Sequence, residues 1–454
     1  MAHQAHNIPW TLLASNLKWH KGGLRTGRSQ SSPYDVTNLR PRGKPNQGKE
    51  IAYFVEAFAR TIDEHAACER KKYPETYDPP SPEDIILDDR IVGKITPTVR
   101  RLRSYKCDSR CPSDVCWLKH HGHECRCIPI SDDARKMSAF LQPYRSNYCY
   151  QFFDVNRKAF FQLQLVETLI LYGEMDAVLR ICAHPEIGLE RWWLLCECYC
   201  SAPSYDLGWD QLFKNALYAY ICLNIVYCFP EMWDPASGKT DEKDYRDTRL
   251  YQRMLRECTA SWKCSDVITY PHRQFFGIAD RQFPGAKPLR SNTAHWLHWA
   301  GRTKKSDRFI EPYGRVPIEE FLSLDNSTGY QPAVSDMDSV RWILCRKGLP
   351  VELTMDIMEL AGYDPKRRLE IPHDPFHPSN REELSRYLTY CWQIIVRCDM
   401  MGKALGMEIR WQEFVASVLI DFFDYKHIPR DANLRKAWGC WDRDEPLNLP
   451  YVFA

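Results

Sequence analysis

Along most of the chain, apolar residues recur every three to four positions, the spacing that gathers side chains onto one face of an α-helix. From Glu50 onward, Ile51, Phe54, Val55, Phe58, Ala59 and Ile62 make such a stripe, and Tyr73-Pro74 closes the segment because proline cannot continue a helix. Leu163, Val166, Ile170, Ala177 and Ile181 make a second stripe, followed by apolar helical segments around 192–200 and 212–229. Near the carboxy end, Leu384, Leu388, Cys391, Ile395 and Cys398 repeat alongside Tyr387, Ile394, Met401 and Leu405. There Ser379 with Glu382 predicts a capping box and Gly406 a left-handed helix stop. The spacing predicts a mainly α fold, an irregular multi-helix bundle with long loops and a small Cys/His-rich insertion.

Lapses in the pattern divide the chain. Residues 1–49 read as a disordered basic arm, because 20–49 are rich in Gly, Ser, Pro, Asn and basic residues with no apolar period. Residues 50–130 hold the first helix and then, beyond the Pro-rich YDPPSPED at 77–84, the Cys/His-rich segment. A central helical core is expected over 131–269, with breaks at PEIG, SAPSYDLG and DPASGKTDEKD. Residues 270–345 mix Pro, Gly, Arg and aromatic residues with weak periodicity and read as an irregular connection. A carboxy-terminal helical region spans 346–454, and no fixed repeat of solenoid length is present.

A hydrophobic share of 44% can fill real cores, which excludes disorder of the whole chain. The formal charge of +2 argues for no global attraction to nucleic acid or membrane. Locally, residues 1–50 carry eight Lys or Arg against only Asp35 and Glu50. The amino terminus has no basic start followed by an apolar stretch, so a cytoplasmic or nuclear protein is expected. The longest nearly apolar run, 217–229, stops at Pro230, well short of a bilayer span of about 20 residues, and reads as a buried helix. In a reducing compartment most of the 19 cysteines should be core thiols.

The densest group of candidate ligands is CDSRCPSDVCWLKHHGHECRC at 107–127. Zinc takes four thiolate or imidazole ligands in a tetrahedron, and short loops let one segment wrap around the ion. Cys107, Cys111, Cys125 and Cys127 are the expected ligands of a structural zinc, with Cys116 or His123 as substitutes; His120 and His121 lie among them. The spacing matches no common C-x2-C framework, and a surface loop of reduced thiols is the alternative. Arg100, Arg101, Arg103 and Lys106 precede the cluster. A zinc module beside a basic strip, joined by Lys18, Lys21, Arg25, Arg28, Arg40, Arg42, Lys44 and Lys49 of the arm, suits a zinc-stabilised nucleic-acid-binding protein.

Catalytic patterns are scarce. The sequence holds no P-loop, G-x-G-x-x-G, G-x-S-x-G or H-E-x-x-H. His373, Asp374 and His377 in HDPFHP have the chemistry of a metal or acid–base site, but Pro372, Pro375 and Pro378 exclude the helical spacing that would align both rings, so a stiff loop is expected. His295 and His298 in HWLHW read as members of an aromatic layer.

The last motif is GLPVELTMDIMELAG at 348–362. Proline at the first helical position and glycine after the last turn frame a short helix whose Leu353, Ile357 and Leu360 share a face, with a core as its ordinary destination. This start resembles the opening helix of F-box domains, Leu-Pro-x-Glu-Leu followed by Ile. With the tyrosine, basic loop and Cys-Trp helix that follow, it also looks like segments of uncharacterised proteins of filamentous fungi. The resemblance implies that Leu349, Pro350, Leu353 and Ile357 dock on the F-box-binding adaptor of a cullin ubiquitin ligase, making the chain a substrate receptor and a non-enzymatic protein-interaction protein. Two features depart from the family: the long loop DPKRRLEIPHDPFHPSN before the next helix, and the position of the motif near the carboxy end.

Overall fold

The computed structural model describes residues 3, 5–21, 37–102, 130–144, 155–193, 208–237, 244–259, 266–278, 318, 330–361 and 363–423. Helices dominate, as the periodicity predicts. In chain order they are α1 (Trp10–Ser15), α2 (Gln47–Arg70), α3 (Asp89–Leu102), α4 (Arg157–Tyr172), α5 (Met175–Cys182), α6 (Asp210–Tyr227), α7 (Arg249–Thr259), α8 (Asp266–Phe276), α9 (Val334–Arg346), α10 (Val351–Leu360), α11 (Arg381–Ala404) and α12 (Trp411–Phe423). Single helical turns and 3-10 turns lie between them.

Two helices form the centre. α6 contains the long apolar run and is buried almost all round, including Leu217, Ile221, Leu223 and Asn224, the pattern of a helix enclosed by protein. The amide nitrogen of Asn224 is satisfied by donating to the Tyr220 carbonyl at 2.9 Å. α11 crosses α6 and also packs on α2, α4 and α5, burying Leu384, Leu388, Cys391, Ile394, Ile395 and Cys398. Gly406 ends it with φ +69°, as expected. The capping box does not form: Ser379 lies in a 3-10 turn, its amide donates to His377 Nδ1, and α11 starts two residues later with Asn380 as its cap residue. The turn wins because Asn380 is fully buried and holds the loop, accepting from the Ile371 amide and donating to the carbonyls of Ile371 and Asp374.

An aromatic cluster joins four elements. Trp10 lies 5.3 Å from Phe54 and 5.8 Å from Tyr220, while Trp392 lies 5.1 Å from Tyr220 and 5.7 Å from Phe58. These edge and tilted contacts add specific geometry to the burial of large rings. Trp392 Nε1 donates to His65 Nδ1 at 3.0 Å, so its polar tip is satisfied.

The amino-terminal segment corrects the expectation of a disordered arm. Among its described residues, α1 is followed by an antiparallel pair, β1 (Leu17–Lys21) and β2 (Thr37–Pro41), with Leu17 opposite Pro41 and Lys21 opposite Thr37. Leu13, Leu17 and Leu39 are fully buried. Asn38 donates to the Phe422 carbonyl at 2.7 Å and accepts from the Leu250 amide at 3.3 Å. A few well-placed apolar side chains and one bridging amide order a stretch whose local composition favours solvent. α9 likewise lies inside the stretch expected to be irregular: none of its residues is buried, so it leaves no core stripe to read.

The described cysteines are free thiols, and Cys182, Cys222, Cys258, Cys391 and Cys398 are buried. Burial pushes the Cys182 thiol up to about 12, so it packs as a small apolar group. No helix among the described residues is long and apolar enough to cross a membrane.

Candidate functional site

α9 and α10 form a helical hairpin that stands apart from this core. Its reversal follows from Gly348, whose φ of +92° is open to glycine and strained for other residues. The Gly348 amide donates to the Cys345 carbonyl at 2.9 Å and the Leu349 amide to the Leu344 carbonyl at 3.3 Å, satisfying the end of α9. Pro350 then sets extended backbone at the cap of α10, one position earlier than the expected first helical residue, and its carbonyl accepts from the Thr354 amide at 2.9 Å. At the other end of α9, Asp336 Oδ2 accepts from the Ala333 amide at 2.6 Å, which holds the Asp336 carboxyl below the usual range.

Inside the hairpin α10 buries Thr354 and Met358, and Thr354 Oγ1 meets Cys345 Sγ at 3.7 Å. Met358 and Ala333, the hairpin's buried apolar residues, lie outside the main hydrophobic cluster. Polar contacts connect the hairpin to the body through the loop at 363–380. The Lys366 amide donates to the Pro332 carbonyl at 2.9 Å, Ser335 Oγ to Glu370 at 2.7 Å, and Arg367 pairs with Asp336 at 3.8 Å. The same loop meets α8, where the Arg368 amide donates to the Gln274 carbonyl at 2.8 Å.

The outer surface is apolar. Leu353 is 51% exposed, Ile357 40% and Leu360 68%, and their spacing places them in one stripe. Val351 and Met355 of α10 and Trp342 and Ile343 of α9 are also exposed, and a groove between the helices is lined by Trp342, Ile343, Cys345 and Val351. Arg346 lies over the Trp342 ring at 4.9 Å. Among the described residues Glu352, Asp356 and Glu359 on α10 are exposed and enter no ion pair. These side chains make a contiguous exposed apolar face. Of the expected docking residues, Pro350, Leu353 and Ile357 are exposed and Leu349 is half-buried. The contribution of α9, above all Trp342 and Ile343, carries no signal in the Leu-Pro motif.

His373 and His377 lie in the loop that precedes α11. His373 takes φ +60°, its carbonyl accepts from Tyr251 Oη at 3.3 Å, and Asp374 accepts from Tyr245 Oη at 2.5 Å. Burial, with Arg246 and Arg367 nearby, lowers the His373 imidazole to about 4. His377 accepts from the Ser379 amide and serves the turn. No group of three or more His, Cys, Asp or Glu residues able to hold a metal is found among the described residues. Cys107, Cys111, Cys116, His123, Cys125 and Cys127, the proposed zinc ligands, lie outside the described residues, as do His295 and His298.

A family model described as the gramillins biosynthetic cluster protein GRA5 matches residues 11–432. No curated protein and no solved structure matches the chain.

Proposed function

We propose that this chain, which belongs to the family of the gramillins biosynthetic cluster protein GRA5, is a non-enzymatic protein-interaction protein that binds a partner protein through the α9–α10 hairpin. The observation that carries the reading is the stripe of Leu353, Ile357 and Leu360, left in solvent on a helix that has its own tether to the body. Leaving three large apolar side chains unburied forgoes a driving force of about 1 kcal/mol or more apiece, which a partner recovers on docking. Helix-in-groove recognition uses anchors at this spacing. The Leu-Pro-Val-Glu-Leu start supports a finer version, an F-box-like receptor whose hairpin docks on the adaptor subunit of a cullin ubiquitin ligase. The long loop before α11 sets the chain apart from a compact three-helix F-box and serves as the hairpin's tether.

The test is capture of the purified adaptor by the full chain. Binding that is lost when Leu353→Asp is combined with Pro350→Ala supports the finer reading. Absence of binding, or binding indifferent to both changes, removes the adaptor from the proposal. A docking role for the hairpin then stands or falls on whether Leu353→Asp releases any partner that co-purifies with the wild-type chain.

A further inference from the structure

A cavity of about 550 Å³ opens between α3, α4, α8 and α11. Its volume falls in the range of small-molecule sites. Its walls are unusually aromatic for a gap between helices: Tyr172, Tyr270, Phe275, Tyr387 and Tyr390 line it, with Phe275 and Tyr387 stacked face to face at 3.7 Å. Tyr387 cannot turn freely, because its hydroxyl is bonded to His272 Nδ1 at 2.6 Å. The Tyr390 hydroxyl makes no hydrogen bond among the described residues.

Charge around the cavity is one-sided. Arg368, Arg386 and Arg397 line it against Glu383 alone. Arg386 is neutralised by Glu382 and Glu383. Arg397 is fixed: Nη1 donates to the Ile170 carbonyl at 3.1 Å and Nη2 to Gln393 Oε1 at 3.1 Å, and the guanidinium lies against Gly173. Neither Arg397 nor Arg368 enters an ion pair among the described residues, and Arg368 is anchored by its backbone to Gln274 on the cavity wall. Aromatic faces hold a flat apolar body, and an unneutralised guanidinium at the rim holds an anion through charge-assisted bonds.

We propose that this cavity is a binding site for a small aromatic carboxylate, its ring held against Tyr172, Tyr270 and Tyr390 beside the stacked Phe275–Tyr387 pair and its carboxylate met by Arg368 and the Tyr390 hydroxyl. The site is separate from the docking hairpin and does not depend on the function proposed for it.

The probe is 2-naphthoate, titrated into the full chain by its fluorescence, with neutral 2-naphthalenemethanol as the control. Saturable binding of naphthoate is expected, weakened about tenfold or more by Arg368→Glu, the loss of one charge-assisted hydrogen bond and its reversal in sign. Naphthalenemethanol should bind the Arg368→Glu chain as it binds the wild type. Tyr390→Phe keeps the ring and should weaken naphthoate a few-fold. Leu353→Asp on the hairpin should leave naphthoate binding unchanged. Absence of saturable binding, naphthoate affinity untouched by Arg368→Glu, equal losses for acid and alcohol, or loss on Leu353→Asp would each overturn the assignment. Arg368 is exposed, so its replacement leaves the fold intact, which the far-ultraviolet circular dichroism of the variant checks.

Discussion

Two leucines on two helices distinguish a solvent-facing stripe from a core. Leu388 on α11 is fully buried in the main cluster, and truncating it to alanine removes buried methyl groups and leaves a cavity, a loss of about 2 to 5 kcal/mol of folding free energy. Leu353 on α10 is already half in water. Changing it to aspartate forfeits only part of a leucine's burial, adds a helix-propensity cost of a few tenths, and places one more negative charge beside Glu352 and Asp356, for a total of about 1 kcal/mol. Binding reverses the order. A docked Leu353 would gain its remaining burial, whereas an aspartate there would have to be stripped of water without a partner, so affinity should fall by about 100-fold. Urea denaturation followed by circular dichroism gives the first comparison, and capture of the partner gives the second. Should Leu353→Asp shift the urea midpoint as far as Leu388→Ala, the stripe is core, and the docking argument fails.

Other outcomes follow from buried polar groups. Glu167 is fully enclosed, and burial with Asp210 nearby raises its carboxyl well above the usual range, so the folded state holds the proton to higher pH than the unfolded chain, which ionises it above about pH 4.5. Glu167→Gln should therefore raise the melting temperature at pH 7 and have less effect at pH 4.5; equal shifts at both would refute this. His272 is lowered to about 3 by burial and stays neutral when folded, so stability should decline as pH falls below about 6.5, by about 1.4 kcal/mol per pH unit for this one group. His373 acts in the same direction, and His272→Gln should flatten the slope between pH 6.5 and 5 in urea titrations. Gly173 has φ +75°, and a Cβ there would sit 2.8 Å from Arg397 Nη2. Gly173→Ala should cost about 1 to 2 kcal/mol, and less in an Arg397→Ala background if displacement of the guanidinium is part of the penalty.

What could be read from the chain and what could not divides by the range of the forces involved. The stripes of α2, α4 and α11 are legible because their buried residues recur three and four apart, and α6 is legible as a continuous apolar run. β1 and β2 are not, because five-residue strands held by Asn38 and three leucines depend on helices hundreds of positions away. The Leu-Pro helix is legible as a helix and as a candidate docking element, yet periodicity alone cannot say whether its stripe faces a core or water. That depends on α9, which buries nothing and so announces nothing. The aromatic cavity is invisible for a similar reason: Thr98, Tyr172, Phe275, Arg368 and Tyr390 come from separate segments and share no motif. The Cys/His-rich segment, the strongest local signal for metal, falls outside the described residues.

The bond from Asn38 to the carbonyl of Phe422 spans 384 positions of sequence. On a ribosome adding about 5 to 20 residues per second, the partner of Asn38 emerges tens of seconds after Asn38 itself. Through that interval the Asn38 amide lacks the Phe422 carbonyl and β2 lacks α12, which packs on it, so the nascent chain carries incomplete surface there. Yield in a foreign host should consequently respond to slower growth and to co-expressed chaperones, and fragments that stop before α12 should be recovered mainly as aggregates.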